Sequence, residues 1–170
     1  MKVKRTVAKI ICVVMCIATL FVTVISVSAK GSLDSVARDI FETYYEDSEY
    51  SYFKTVDIGS NSFRLDASGY IDAVLTEYGV LDGQDYNSVE YKNDKSLDNT
   101  LSNNGFTKAF YSADAIKSSA ILVRKGHCAI ITRDGEDFTY YSFGSANSKI
   151  QRLTSDELDQ KEFEVMYILR

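Results

Sequence analysis

The apolar residues of this chain change their spacing once, and that change limits the folds open to it. From Ser32 to Tyr78 they recur at helical intervals; from Ala120 onward they form short runs separated by turn signals. Val36, Ile40, Phe41, Tyr44 and Tyr45 lie on one helical stripe between Ser32 and about Glu46, with Asp34 in its first turn. Tyr70, Ile71, Val74, Leu75 and Tyr78 define one buried face of a second helix over Ala67 to Tyr78, which Asp66 is placed to cap and Gly79 to end. Tyr50 to Val56 reads as strand or irregular chain, residues 82 to 95 as polar loop, and Leu97 to Asn103 as a short helix stopped near Gly105.

In the last third, Ala120-Ile121-Leu122-Val123 is followed by a turn at Arg124-Lys125-Gly126 and a strand from His127 to Ile131. Asp134-Gly135 marks a hairpin turn, Phe138 to Phe143 a further strand, and Glu162 to Leu169 a last one. Helices first and an antiparallel sheet afterwards predict an α+β domain, with the N-terminal helices packed on the sheet.

The N-terminus reads as a targeting segment. Lys2, Lys4, Arg5 and Lys9 precede an apolar run from Ile10 to Val27, and Val27-Ser28-Ala29 suits cleavage before Lys30. Residues 1–29 are therefore expected to be a signal peptide, or a membrane anchor where they stay attached, which would be the only route to a membrane. Residues 30–170 form one exported domain, long enough for a real core.

That domain holds all 24 acidic residues and 15 of the 19 basic ones, a net charge of −9. Without a basic stripe, nucleic acid is not an expected partner. Cys128 is its lone cysteine, so no internal disulfide can form and a structural zinc site lacks ligands. No metal and no cofactor is expected.

Asp66-Ala67-Ser68-Gly69-Tyr70 at the start of the second helix, and Gly126-His127-Cys128-Ala129-Ile130-Ile131 sixty residues on, resemble the NlpC family of bacterial cell-wall cysteine peptidases. The family opens its central helix with Asp-Cys-Ser-Gly and an aromatic residue, and places its histidine after glycine on a strand. Asp114 to Val123 resembles the loop and strand before that histidine, with Ser118-Ser119-Ala120 where the family carries Pro-Gly-Asp, and Tyr167 to Arg170 resembles its closing strand. The resemblance covers about residues 35 to 170. It implies a papain-like fold, export to the cell envelope or beyond, and peptidoglycan stem peptide, or a cell-envelope protein, as partner. It also implies that Ala67 occupies the nucleophile's position, His127 the base's, and Tyr141 that of the third polar residue, while Asp66 and Ser68 border the substrate.

A thiol at a helix start is activated by the amide dipoles and by a neighbouring imidazolium. The methyl group of Ala67 can neither attack a carbonyl nor ionise. Cys128 is a poor substitute, because strand neighbours face opposite sides: with His127 toward the cleft, Cys128 faces the core. Ser68 is turned about 100° from Ala67 around the helix and has a structural reading as a first-turn hydroxyl. Asp66 has a helix cap as its structural reading and a substrate amine as its functional one; Tyr44, Tyr70 and Tyr78 read as core. The expectation is a secreted domain that binds without hydrolysis. Two alternatives stand beside it: an active endopeptidase seen with an inactivating Cys-to-Ala change, and an unrelated exported interaction domain. In the first reading Ala67 and His127 must lie close enough for a thiol in place of the methyl group to reach the imidazole.

Overall fold

The computed structural model describes residues 31–45, 54–144 and 149–170; the expected leader and the aromatic stretch before Lys54 lie outside them. Residues 31–170 form a single compact unit. Helix α1 (Leu33–Ile40) starts where Ser32 Oγ accepts from the Ser35 N–H, and runs on as a π-helical turn from Phe41 to Tyr45. Leu33, Ala37, Ile40, Phe41 and Tyr45 are its buried residues, while Val36 and Tyr44 are only half-buried. The wider turn moves the stripe sideways, which a strict 3.6-residue reading does not anticipate.

A hairpin follows that the sequence does not announce: β1 (Thr55–Ile58) pairs with β2 (Asn61–Arg64) across Gly59, whose φ of 61° suits the tight turn. Helix α2 (Ala67–Glu77) then runs through the middle of the molecule. Asp66 caps it by accepting from the Gly69 N–H at 2.8 Å, and Gly79 ends it at φ 78°. Every residue from Ala67 to Leu75 is buried, so the helix is covered on all sides rather than on the single face expected. Its neighbours are α1, β2 and the strand carrying His127. Tyr70 shows how the packing is made: its ring meets Phe41 and Tyr45 edge-on at 5.6 and 5.2 Å, and its hydroxyl donates to the Ala37 carbonyl at 2.8 Å.

The segment 82–95 corrects the reading of a loop. Helix α3 (Ser88–Asn93) lies within it, opened by a capping box in which Asn87 accepts from Val89 and Glu90 while the Glu90 carboxylate accepts from the Asn87 N–H. Tyr91 is its one buried side chain, so hydrophobic periodicity has nothing to detect. Buried Asp72 of α2 anchors the whole segment, accepting from the Tyr86 N–H at 2.7 Å and the Tyr91 hydroxyl at 2.6 Å. Helix α4 (Lys95–Asn103) buries Leu97 and Leu101 and is followed by Gly105 at φ 89°.

The remaining chain builds a six-stranded antiparallel sheet from β3 (Phe106–Phe110), β4 (Ser119–Arg124), β5 (His127–Asp134), β6 (Asp137–Ser142), β7 (Lys149–Leu153) and β8 (Val165–Leu169). Their spatial order is β3-β8-β4-β5-β6-β7. A short helix α5 (Ser155–Asp159) connects β7 toward β8. The fold is thus α+β, with helices against an antiparallel sheet. Both faces of the sheet are buried. Ile121, Val123, Cys128, Ile130, Tyr141 and Tyr167 join α1 to α4 in one core. Ala120, Leu122, Ala129, Ile131, Phe138, Tyr140 and Met166 join Leu158 and Phe163 in another. Strand β5 supplies both, and the ladder with β6 pairs Ile130 with Tyr141 and Asp134 with Asp137.

Candidate functional site

The start of α2, the start of α3 and the β4–β5 turn converge on one pocket of about 180 Å³. Asp66, Ala67 and Ser68 line it from α2, Asn87 and Ser88 from the entry to α3, Gly126, His127 and Cys128 from the turn and β5, and Gly144 from the end of β6. Two sets of bonds fix these pieces together. Asp72 holds residues 86–91 on α2, and Ser88 Oγ accepts from the Gly126 N–H at 3.2 Å.

The structure brings Ala67 and His127 to the same place. A methyl group built on Gly144 would stand 3.5 Å from Ala67 Cβ and 4.0 Å from His127 Nδ1, so both border one small volume. The ring turns Nδ1 toward that volume. Its other nitrogen, Nε2, lies 2.9 Å from Ser142 Oγ and 3.1 Å from the Tyr140 hydroxyl. A base whose far nitrogen is held by a third group is the general arrangement of nucleophilic hydrolases. Here that group is a pair of hydroxyls, which accept or donate and so hold the ring without imposing a tautomer. Phe163 lies nearly parallel to the imidazole at 6.2 Å.

Tyr141, expected as the third polar residue, is not there. It faces the opposite side of the sheet and donates to Asp34 of α1 at 2.7 Å. Side chains alternate along a strand, so a shift of one residue exchanges the faces, and Tyr140 and Ser142 share the side of His127. Burial is the main reason that His127 loses proton affinity, from 6.5 to about 4, with Arg124 and Lys161 adding like-charge repulsion. The imidazole is therefore neutral through the physiological range.

No alternative nucleophile among the expected residues is poised to act. Cys128 is fully buried in the helix-side core, and burial pushes its thiol well above the ordinary range. Ser68 donates to Asp66 Oδ1 at 2.9 Å. Asp66 also receives the Gly69 N–H and lies 3.6 Å from the Arg64 guanidinium, so its cap role is realised while it still borders the pocket. Tyr70 is core, as expected, and Tyr44 and Tyr78 pack partly buried against it. Asn87, Ser88, Tyr140, Ser142 and Gly144 are site residues the sequence reading misses; only the strand parity of Tyr140 and Ser142 could have revealed any of them. Among the described residues no group of three or more His, Cys, Asp or Glu side chains is placed to hold a metal ion.

No protein-family description, curated protein or solved structure matches the chain.

Proposed function

We propose that this chain is an exported domain of NlpC-like, papain-like design that binds a peptide, of the cell-wall stem or of an envelope partner, and does not cut it. One observation carries the reading: a histidine with its far nitrogen held by hydroxyls turns its near nitrogen toward a helix start at which a methyl group stands. A thiol at that position would have both a base and the amide dipoles of α2 beside it. The methyl group leaves a pocket able to accept a ligand and unable to form an acyl-enzyme.

The test compares the chain as it stands with Ala67→Cys on purified muropeptides. The unaltered protein is expected to bind them without turnover, and the substituted one to release cleaved stem peptide. Hydrolysis by the unaltered protein, free of contaminating lysins, would overturn the reading. So would a well-folded Ala67→Cys protein that neither binds nor cleaves.

A further inference from the structure

Two cations act on the imidazole, and among the described residues neither makes a salt bridge, although Lys161 attracts Glu157 one turn before it. Arg124 ends β4 and pairs with His127 directly across the ladder; Lys161 follows α5. Five other cations do form ion pairs: Arg38 with Glu42, Arg64 with Asp85, Lys92 with Glu164, Lys108 with Asp98 and Arg152 with Asp137. Arg124 and Lys161 instead lie over aromatic rings. The guanidinium carbon is 5.9 Å from the centre of Phe163, and the ammonium 4.7 Å from that of Tyr140. Arg124 Nε is also buried without a hydrogen-bond acceptor. A guanidinium offers five donors in a planar fork suited to a carboxylate, and leaving such donors unmet in a partly buried place is costly.

The two rings join these cations to the base. Phe163 stacks against His127 and lies 6.4 Å from Tyr140, whose hydroxyl touches His127 Nε2. Two positive charges outside any salt bridge and two hydroxyls therefore gather around His127, Phe163 and Tyr140, next to the pocket that His127 borders, in a domain whose net charge is strongly negative. A domain of that sign repels anions in general, so a local pair of cations selects for one anchored group rather than for polyanions.

We propose that Arg124 and Lys161 form a carboxylate subsite next to His127, so that the ligand of this cleft is a peptide carrying a carboxylate there. This deepens the peptide-binding reading, and rests on it, by naming the charge of its ligand. The carboxylate is either a chain terminus or an acidic side chain. Once seated, it offsets the repulsion that the two cations exert on the imidazolium, so His127 gains proton affinity.

Because the chain has a single histidine, its ring signal in NMR reports this without ambiguity. The full chain would be titrated with pH in the presence of three probes: N-acetyl-glycylglycine with a free terminus, N-acetyl-glutamic acid amide with only the side-chain carboxylate, and uncharged N-acetyl-glutamine amide. One or both carboxylates should move the midpoint of His127 upward, by about one pH unit or more, and the neutral probe should not; the stronger carboxylate identifies the source. Arg124→Gln and Lys161→Gln should each weaken that probe by about tenfold, the loss of one charge-assisted contact. Equal binding of the neutral amide, no shift with either carboxylate at millimolar concentration, or unchanged affinity in both variants would overturn the proposal. If Arg124→Gln fails to fold, Lys161→Gln and the charge-conserving Arg124→Lys decide the matter. Carboxylate binding without muropeptide binding would remove the cell-wall reading and keep the subsite. Muropeptide binding unchanged by the Lys161 and Arg124 variants would do the reverse.

Discussion

At the scale of single residues, Ala67 and Cys128 make a controlled pair. Both line the same pocket, yet Cys128 is fully buried on the core side of β5, whereas position 67 opens a helix beside the imidazole. A cysteine placed at 67 should have its thiolate favoured by the α2 amides and by a hydrogen bond from the neutral His127 ring, with a pKa below the ordinary value of about 8.5. Iodoacetamide labelling of Ala67→Cys across pH, mapped by peptide mass spectrometry, should show the introduced thiol half-modified below that pH while Cys128 stays protected in the folded protein. Equal protection of both would mean that position 67 is not configured for a nucleophile. The pairing of Ala67 with His127 is legible in the sequence, because a capped helix start and a glycine-preceded strand each carry a local signature. The partners of the histidine are legible only through register. Once Gly135 and Glu136 are taken as the two-residue loop, Tyr140 and Ser142 fall on its face and Tyr141 on the other. On that other face Tyr141 donates to Asp34, more than a hundred residues away, and no local pattern announces that contact.

At the scale of elements, the first turn of α2 is set by two residues that the sequence already singles out. Gly69 lies so close to β2 that an added methyl group would stand 2.2 Å from the Arg64 carbonyl oxygen and 2.9 Å from its carbon. Backbone cannot yield as a flexible side chain can, so Gly69→Ala should destabilise the fold by about 1–3 kcal/mol and displace the helix start from His127. Urea denaturation would give the loss, and the His127 ring signal the displacement. Asp66 can be separated from it. Asp66→Ala should cost about 1 kcal/mol through the lost cap, whereas Asp66→Asn, which still accepts the Gly69 N–H, should cost little, since the half-exposed Arg64 pairing is worth ~0–1 kcal/mol. Equal losses in the two variants would mean that the ion pair, and not the cap, holds the helix start. Helix α2 is legible because its cap, its stop and its apolar spacing agree. Helix α3 is hidden because a capping box and one buried tyrosine hold it, not a stripe. The β1–β2 hairpin and β3 are missed because their strands alternate too briefly, and β8 gives no sign that it inserts between β3 and β4.

At the scale of the whole molecule, two buried groups act on stability with opposite signs as the pH falls. His127 has its proton affinity lowered to about 4 by burial and by the nearby cations. Below pH 6.5 the unfolded chain takes up a proton that the folded one refuses, so stability is lost between about pH 6.5 and 4, on the order of 3 kcal/mol. Asp72, fully buried under the 82–91 segment, has its carboxyl raised well above the usual range by burial, against the pull of the Tyr91 and Tyr86 hydrogen bonds. The folded state then binds a proton before the unfolded chain does, and stability is regained as the pH falls through that raised value toward the ordinary one. The two effects oppose each other in the intact protein, and single substitutions separate them. His127→Gln should remove the acid-side loss and make the urea midpoint less sensitive to pH between 7 and 4. Asp72→Asn keeps one acceptor and one donor for Tyr86 and Tyr91 but no longer titrates, so it should remove the regain and leave the protein more acid-sensitive than its parent. Midpoints at pH 7, 5.5 and 4 for the three proteins decide it. If His127→Gln and the parent lose stability in parallel down to pH 4, the imidazole is not held neutral by the fold. The buried setting beside two cations on which the proposed carboxylate subsite depends would then be wrong.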